Sequence, residues 1–115
     1  MINFERLTVY QESVSLAIDF YKITNNFPKS ELFGLTSQIR RASVSISLNI
    51  AEGSSRGKKD FKHFLDISRG SCFELVPLIK ISLELGYLSP DEYDSFLKRL
   101  ELMAKRLSAL KRSII

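Results

Sequence analysis

Apolar residues recur at intervals of three and four through almost the whole chain, in four stretches separated by short breaks. That period is one face of an α-helix, and a half-buried strand, which alternates every second residue, cannot use it. The first stretch runs from about Phe4 to Asn25 and carries Leu7, Tyr10, Val14, Ala17, Ile18 and Tyr21 as its stripe. Asn25, Asn26, Phe27 and Pro28 stop it, because a proline ring cannot continue a helix.

Ser30 is placed to cap a second helix reaching about Gly53, with Leu32, Leu35, Ile39, Ala42, Ile46 and Ile50 as its stripe. Ser43, Ser45 and Ser47 read as small packing sites that let a neighbouring helix come close. After a break at Gly53 to Gly57, a third helix spans roughly Lys59 to Leu85 on Phe61, Phe64, Leu65, Ser68, Cys72, Leu75, Ile79 and Ser82. Pro77 lies inside it and removes one amide, so a kink is expected there and not an end. Gly86 follows as a C-cap.

Ser89-Pro90-Asp91-Glu92 is the clearest local signal: an N-cap serine, a proline at the first helical position and a glutamate that completes a capping box. The fourth helix then presents Tyr93, Phe96, Leu100, Met103, Leu107, Leu110 and Ile114 nearly to the C-terminus. Four long helices joined by short turns make an all-α fold, an antiparallel up-and-down four-helix bundle. At 115 residues the chain is the size of a single domain, 1–115.

Catalytic chemistry lacks parts. His63 is the only His, sits beside Lys62, and reads as a surface residue with no nucleophile to serve. One Cys and one His cannot assemble a zinc site, and no Glu-x-x-His pair supplies a di-iron site. We therefore expect no enzyme, no metal and no cofactor. The lone Cys72 cannot form an internal disulfide, no apolar segment approaches a membrane span, and the first ten residues lack a secretory core. A soluble cytoplasmic protein is the expectation.

Charge carries more information by position than by total. The chain has a net charge of +4, whereas Lys98 to Ile115 alone holds six cations (Lys98, Arg99, Lys105, Arg106, Lys111 and Arg112) against Glu101. Most project away from Leu100, Leu107 and Ile114, giving the fourth helix a single-signed outer face, and solubilising faces ordinarily mix signs. A second cluster, Arg56, Lys58, Lys59 and Lys62, crowds the start of the third helix with only Asp60 opposed. Cations there oppose the helix dipole unless an anion sits among them. Phe and Tyr fall mainly on core stripes, so no aromatic platform is expected among these cations, and recognition should rest on the phosphate backbone. A third group, Arg40, Arg41, Asn49, Glu52 and Glu74, reads as a structural polar network. Asn49 lies near the apolar face and needs partners, for which an Arg of the second helix and Glu74 are expected.

The run Ser37-Gln38-Ile39-Arg40-Arg41-Ala42-Ser43-Val44-Ser45-Ile46-Ser47-Leu48-Asn49-Ile50-Ala51-Glu52-Gly53, with Phe61, Phe64-Leu65, Gly70-Ser71 and Glu74-Leu75, resembles the four-helix proteins encoded in intervening sequences of bacterial 23S rRNA genes. Phe4-Glu5-Arg6-Leu7, Val9-Tyr10-Gln11 and Gly86-Tyr87-Leu88 extend the likeness over nearly the whole chain, and Pro77 departs from it. The resemblance implies a ring-like homopentamer. It also implies kinship with the accessory protein of diversity-generating retroelements, a basic pentamer that binds nucleic acid and a reverse transcriptase. The expectation is therefore a non-enzymatic basic accessory protein that binds RNA or DNA backbone, in a nucleoprotein complex. The alternative is an oligomeric protein-interaction scaffold with no nucleic-acid binding.

Overall fold

The computed structural model describes residues 7–115. The expected beginning of the first helix at Phe4 lies outside them. Four α-helices follow in order: α1 (Thr8–Thr24), α2 (Leu35–Ser54), α3 (Lys58–Glu84) and α4 (Pro90–Ser113), with one 3-10 turn at Lys29–Glu31. No strand occurs among the described residues. At about 1.5 Å per residue the 27-residue α3 is about 40 Å long, close to the 44 Å long axis of the molecule. Each helix packs on its chain neighbours, and α1 also meets α4, which closes the bundle.

Side-chain bonds fix the directions. Asp19 meets Arg99 and Glu12 meets Arg106, so α1 and α4 run antiparallel. Ser68 Oγ donates to the Ile46 carbonyl at 2.9 Å and Ser71 Oγ to Ser45 Oγ at 3.0 Å, which sets α2 against α3 in the same way. The close approach depends on small residues, since Ser43 and Ser68 are fully buried. Gly53 is the tightest point: a Cβ there would lie 2.6 Å from Phe64 Cβ and 3.0 Å from Phe61 Cδ1.

The core is continuous and built from the stripes of α2, α3 and α4, with Ile39, Ile46, Ile50, Leu65, Leu75, Ile79, Leu100, Met103 and Leu107 essentially inaccessible. Each such side chain contributes about 1.5–3 kcal/mol by leaving water. The first helix departs from expectation. It buries Val9, Ser13, Leu16, Ala17, Phe20 and Thr24, a face turned by about 100°, one residue step, from the expected stripe. Ile18 and Tyr21 point outward, 50% and 44% exposed. Ser13 and Thr24 can be buried because their hydroxyls donate to the carbonyls of Tyr10 and Phe20, both at 2.7 Å. Phe20 stacks on Phe96 of α4, with ring centroids 4.2 Å apart.

The start of α2 also differs. Ser30 does not cap it; Lys29–Glu31 forms its own turn on the Pro28 carbonyl, and the helix opens after Gly34. Glu31 takes the capping role, its Oε1 accepting from the Leu35 amide at 3.3 Å, an anion at the positive end of the helix. Its Oε2 accepts from the Tyr87 hydroxyl at 3.1 Å, tying the α1–α2 connection to the α3–α4 connection. Phe27 packs beside Tyr87 and closes that end of the bundle.

The helix continues through Pro77 to Glu84. It ends in a Schellman motif: Gly86, at φ 80°, donates to Leu83, and Tyr87 donates to Ser82 at 2.8 Å. The capping box before α4 is formed in full, with Glu92 N–H donating to Ser89 Oγ at 3.1 Å and Ser89 N–H to Glu92 Oε1 at 2.8 Å. No described helix is long and apolar enough to cross a membrane.

Candidate nucleic-acid interface

With Phe96, Leu100, Met103 and Leu107 turned inward, the six cations of α4 divide according to what lies beside them. Towards α1, Arg99 Nη1 bonds to Asp19 Oδ2 at 2.8 Å, and Arg106 is paired with Glu12. Towards α3, Lys111 Nζ meets Asp66 Oδ2 at 2.8 Å. Such half-exposed pairs add at most about 1 kcal/mol each to stability, but they neutralise half of the expected cluster. Lys98, Lys105 and Arg112 have no acidic partner among the described residues and stand seven residues apart in a row, about 10.5 Å per step along the helix.

Lys105 and Arg112 share a groove with α3. It has a volume of about 760 Å³, a floor of Cys72, Val76, Leu100 and Ala104, and a rim that includes Arg69 and Glu101. A shallower depression of about 450 Å³ continues it past Arg69 and Arg112 to Lys62. Lys62, Arg69, Lys105 and Arg112 thus face one channel without an ion-pair partner among the described residues, with Glu101 as the unpaired acid. Arg106, which also lines it, is held by Glu12, and Lys111 and Asp66 offset each other. Arg69 is not among the cations that the sequence singles out. Its spacing of seven from Lys62 was a signal, but the adjacency to α4 that gives it meaning is tertiary.

Phe73 stands in this groove 53% exposed, with the Arg69 guanidinium 4.8 Å over its ring centroid. The expectation is of no aromatic platform among the cations; the structure sets one exposed ring, Phe73, beside Arg69, Lys105 and Arg112. One turn beyond Arg69 on α3, Phe73 points at the cleft between α3 and α4 and not at the core. Cys72 forms the floor beside it, and burial pushes its thiol from 9.0 up to about 12, which keeps it neutral and unreactive.

The cluster at the start of α3 also divides. Arg56 folds back on Glu52, with Nη2 2.6 Å from Oε1, and lies over the Phe64 ring at 5.0 Å. The hydrogen bond to Glu52 raises its pKa further. Lys58 and Lys59 are exposed in the first turn, with Gly57 as an N-cap that offers no side-chain acceptor. Lys62 belongs with the groove.

The expected polar network is not assembled as one unit. Arg40 turns to the end of α1, donating to Thr24 Oγ1 and Asn25 Oδ1, both at 2.9 Å, with its guanidinium over the Tyr21 ring. Asn49 Nδ2 donates to the Ser45 carbonyl at 2.8 Å and Ser45 Oγ at 2.9 Å, and Ser71 of α3 completes that chain. Glu52 is held by Arg56, and Arg41 and Glu74 are exposed and join neither group. The physical reason is reach: Ser45, one turn from Asn49 on its own helix, satisfies the amide before any charged group across the interface does. His63 is exposed, edge-on to Phe64. Among the described residues no group of His, Cys, Asp or Glu could hold a metal ion.

The family model for the 23S rRNA-intervening sequence protein matches residues 5–109. The fold is similar to that of a crystal structure of a protein of unknown function from the S23 ribosomal protein family of Bacteroides thetaiotaomicron. The TM-score is 0.81 and the identity 23%, covering 92% of this chain and 100% of that one. No curated protein matches the chain.

Proposed function

The chain belongs to the 23S rRNA-intervening sequence protein family, and from that premise we propose that it is a non-enzymatic accessory protein that binds nucleic-acid backbone in a nucleoprotein complex. The observation that carries the reading is the channel of Lys62, Arg69, Lys105 and Arg112, which have no acidic partner among the described residues while their neighbours Arg99, Arg106 and Lys111 do. A fold that neutralises three cations and leaves an adjacent row free has spare positive charge in one place. Phosphates supply the matching anion, and the counterions they release drive binding. Lys98, in line with Lys105, and Lys58 and Lys59 extend the row at its two ends.

Assembly as a homopentamer, which the family resemblance implies, multiplies the channel around a ring. The exposed apolar residues Ile18, Tyr21 and Leu48 on α1 and α2, with the half-buried Val14 beside them, favour a subunit or partner contact on the side away from the channel. The same residues favour the second reading, a protein-interaction scaffold in which the charge is incidental. A protein partner such as a reverse transcriptase fits an accessory role.

The test is a fluorescence-anisotropy titration with structured RNA and duplex DNA across a salt series, with mass measured on the same samples. Binding by an oligomer that weakens linearly in log salt supports the proposal. No binding at low salt overturns it and leaves the scaffold reading.

A further inference from the structure

The channel between α3 and α4 combines features that backbone binding alone does not need. Phe73 lines it 53% exposed, the Arg69 guanidinium lies 4.8 Å from the ring centroid, and Lys105 and Arg112 stand on the facing helix. Exposing half of an aromatic ring to water forgoes burial that the core offered to Phe61 and Phe96. Bases stack on aromatic faces and on guanidinium planes, and their phosphates need cations a few ångströms away. In a duplex the base faces are already stacked on each other and are not free to stack on a protein ring. Only an unpaired strand can present a base and a phosphate to this groove together.

We propose that the α3–α4 groove is a single-strand binding site, in which one base stacks on the Phe73–Arg69 pair while flanking phosphates lie on Lys105, Arg112 and Lys62. This rests on the nucleic-acid reading above and names the class of nucleic acid. The groove volume of about 760 Å³ is in the range of sites that take a small organic molecule, about 300–1,000 Å³, and so accommodates a base with its sugar. Glu101, at the end near Leu100, disfavours phosphate there and sets the strand's path towards Arg112 and Lys62.

The experiment compares an unstructured oligonucleotide of twelve uridines with a duplex of equal length, on the full chain and on Phe73→Ala, at matched low salt. A stack on a half-exposed ring is worth about 1 kcal/mol, the lower end for base–aromatic stacking, so Phe73→Ala should lower single-strand affinity about fivefold and leave duplex affinity unchanged. Because the chain has no Trp, Phe73→Trp provides a single tryptophan, excited selectively at wavelengths beyond tyrosine absorption, that the single strand should quench. Equal binding of both forms, with Phe73→Ala neutral and no quenching, overturns the groove assignment and leaves backbone binding intact. Absence of binding to either form overturns both. Displacement of bound strand by an acidic amphipathic peptide, with equal sensitivity to Phe73→Ala on strand and peptide, assigns the groove to a protein helix and overturns the proposal. Circular dichroism on each variant confirms folding.

Discussion

Neutralising two cations of the free row and, separately, two of the paired row distinguishes charge a ligand can reach from charge the fold has used. Four cations unpartnered among the described residues, Lys62, Arg69, Lys105 and Arg112, face the channel. With about 0.7 counterion released per phosphate on a single strand, log affinity should fall against log salt with a slope of about −2.8 per chain. Between about 50 and 200 mM salt that is a loss of about 50-fold. The double variant Lys105→Gln with Arg112→Gln removes two contacts, so the slope should fall to about −1.4 and the loss over the same range to about 7-fold. Arg99→Gln with Arg106→Gln removes the same formal charge, but those guanidiniums are held by Asp19 and Glu12. That variant should weaken binding uniformly through the net field and leave the slope near −2.8. Anisotropy titrations at four salt concentrations measure all three proteins, with circular dichroism as the check on folding. Equal slopes for the two double variants would refute the reasoning, because the intramolecular pairs would then make no difference to what a phosphate meets.

Other consequences concern stability. Gly53→Ala should destabilise the fold by about 1–3 kcal/mol, measured by urea unfolding, because its methyl would meet Phe64 Cβ at 2.6 Å between two packed helices; an unchanged midpoint would mean the helices separate freely. Ser89→Ala should cost about 1 kcal/mol through loss of the capping box, seen as a lower Tm. Cys72, held up to about 12 from 9.0 by burial, is a group whose folded pKa lies above its unfolded one. Its contribution is fully present below about pH 9 and lost as the pH rises towards 12, amounting to about 2 kcal/mol by pH 10.5. Cys72→Ala starts from a lower stability and should lose less between pH 8 and 10.5 in denaturant titrations; parallel curves would rule this out.

What could be read from the chain alone was whatever is decided within one turn of helix. The capping box at Ser89–Glu92 and the glycine stop at Gly86 are local chemistry, and both stand as the residues required. The stripes of α2, α3 and α4 were legible because in each the apolar face that periodicity ranks first is the buried one, apart from Leu32, which lies before α2 and is 49% exposed. In α1 it is not. The more apolar stripe, with Val14, Ile18 and Tyr21, faces outward, while the face bearing Ser13 and Thr24 is buried, its hydroxyls bonded back to the helix. Periodicity ranks stripes by hydrophobicity, and only contact with α2 and α4 chooses between them. The same limit governs the candidate site. A count of cations finds the charge of α4, but Asp19, Glu12 and Asp66, which cancel half of it, come from helices distant in sequence. Arg69 and Phe73 acquire a role only when α3 lies against α4. Secondary structure follows from neighbours along the chain, whereas free charge and exposed aromatic surface are what remains after neighbours in space have taken their share.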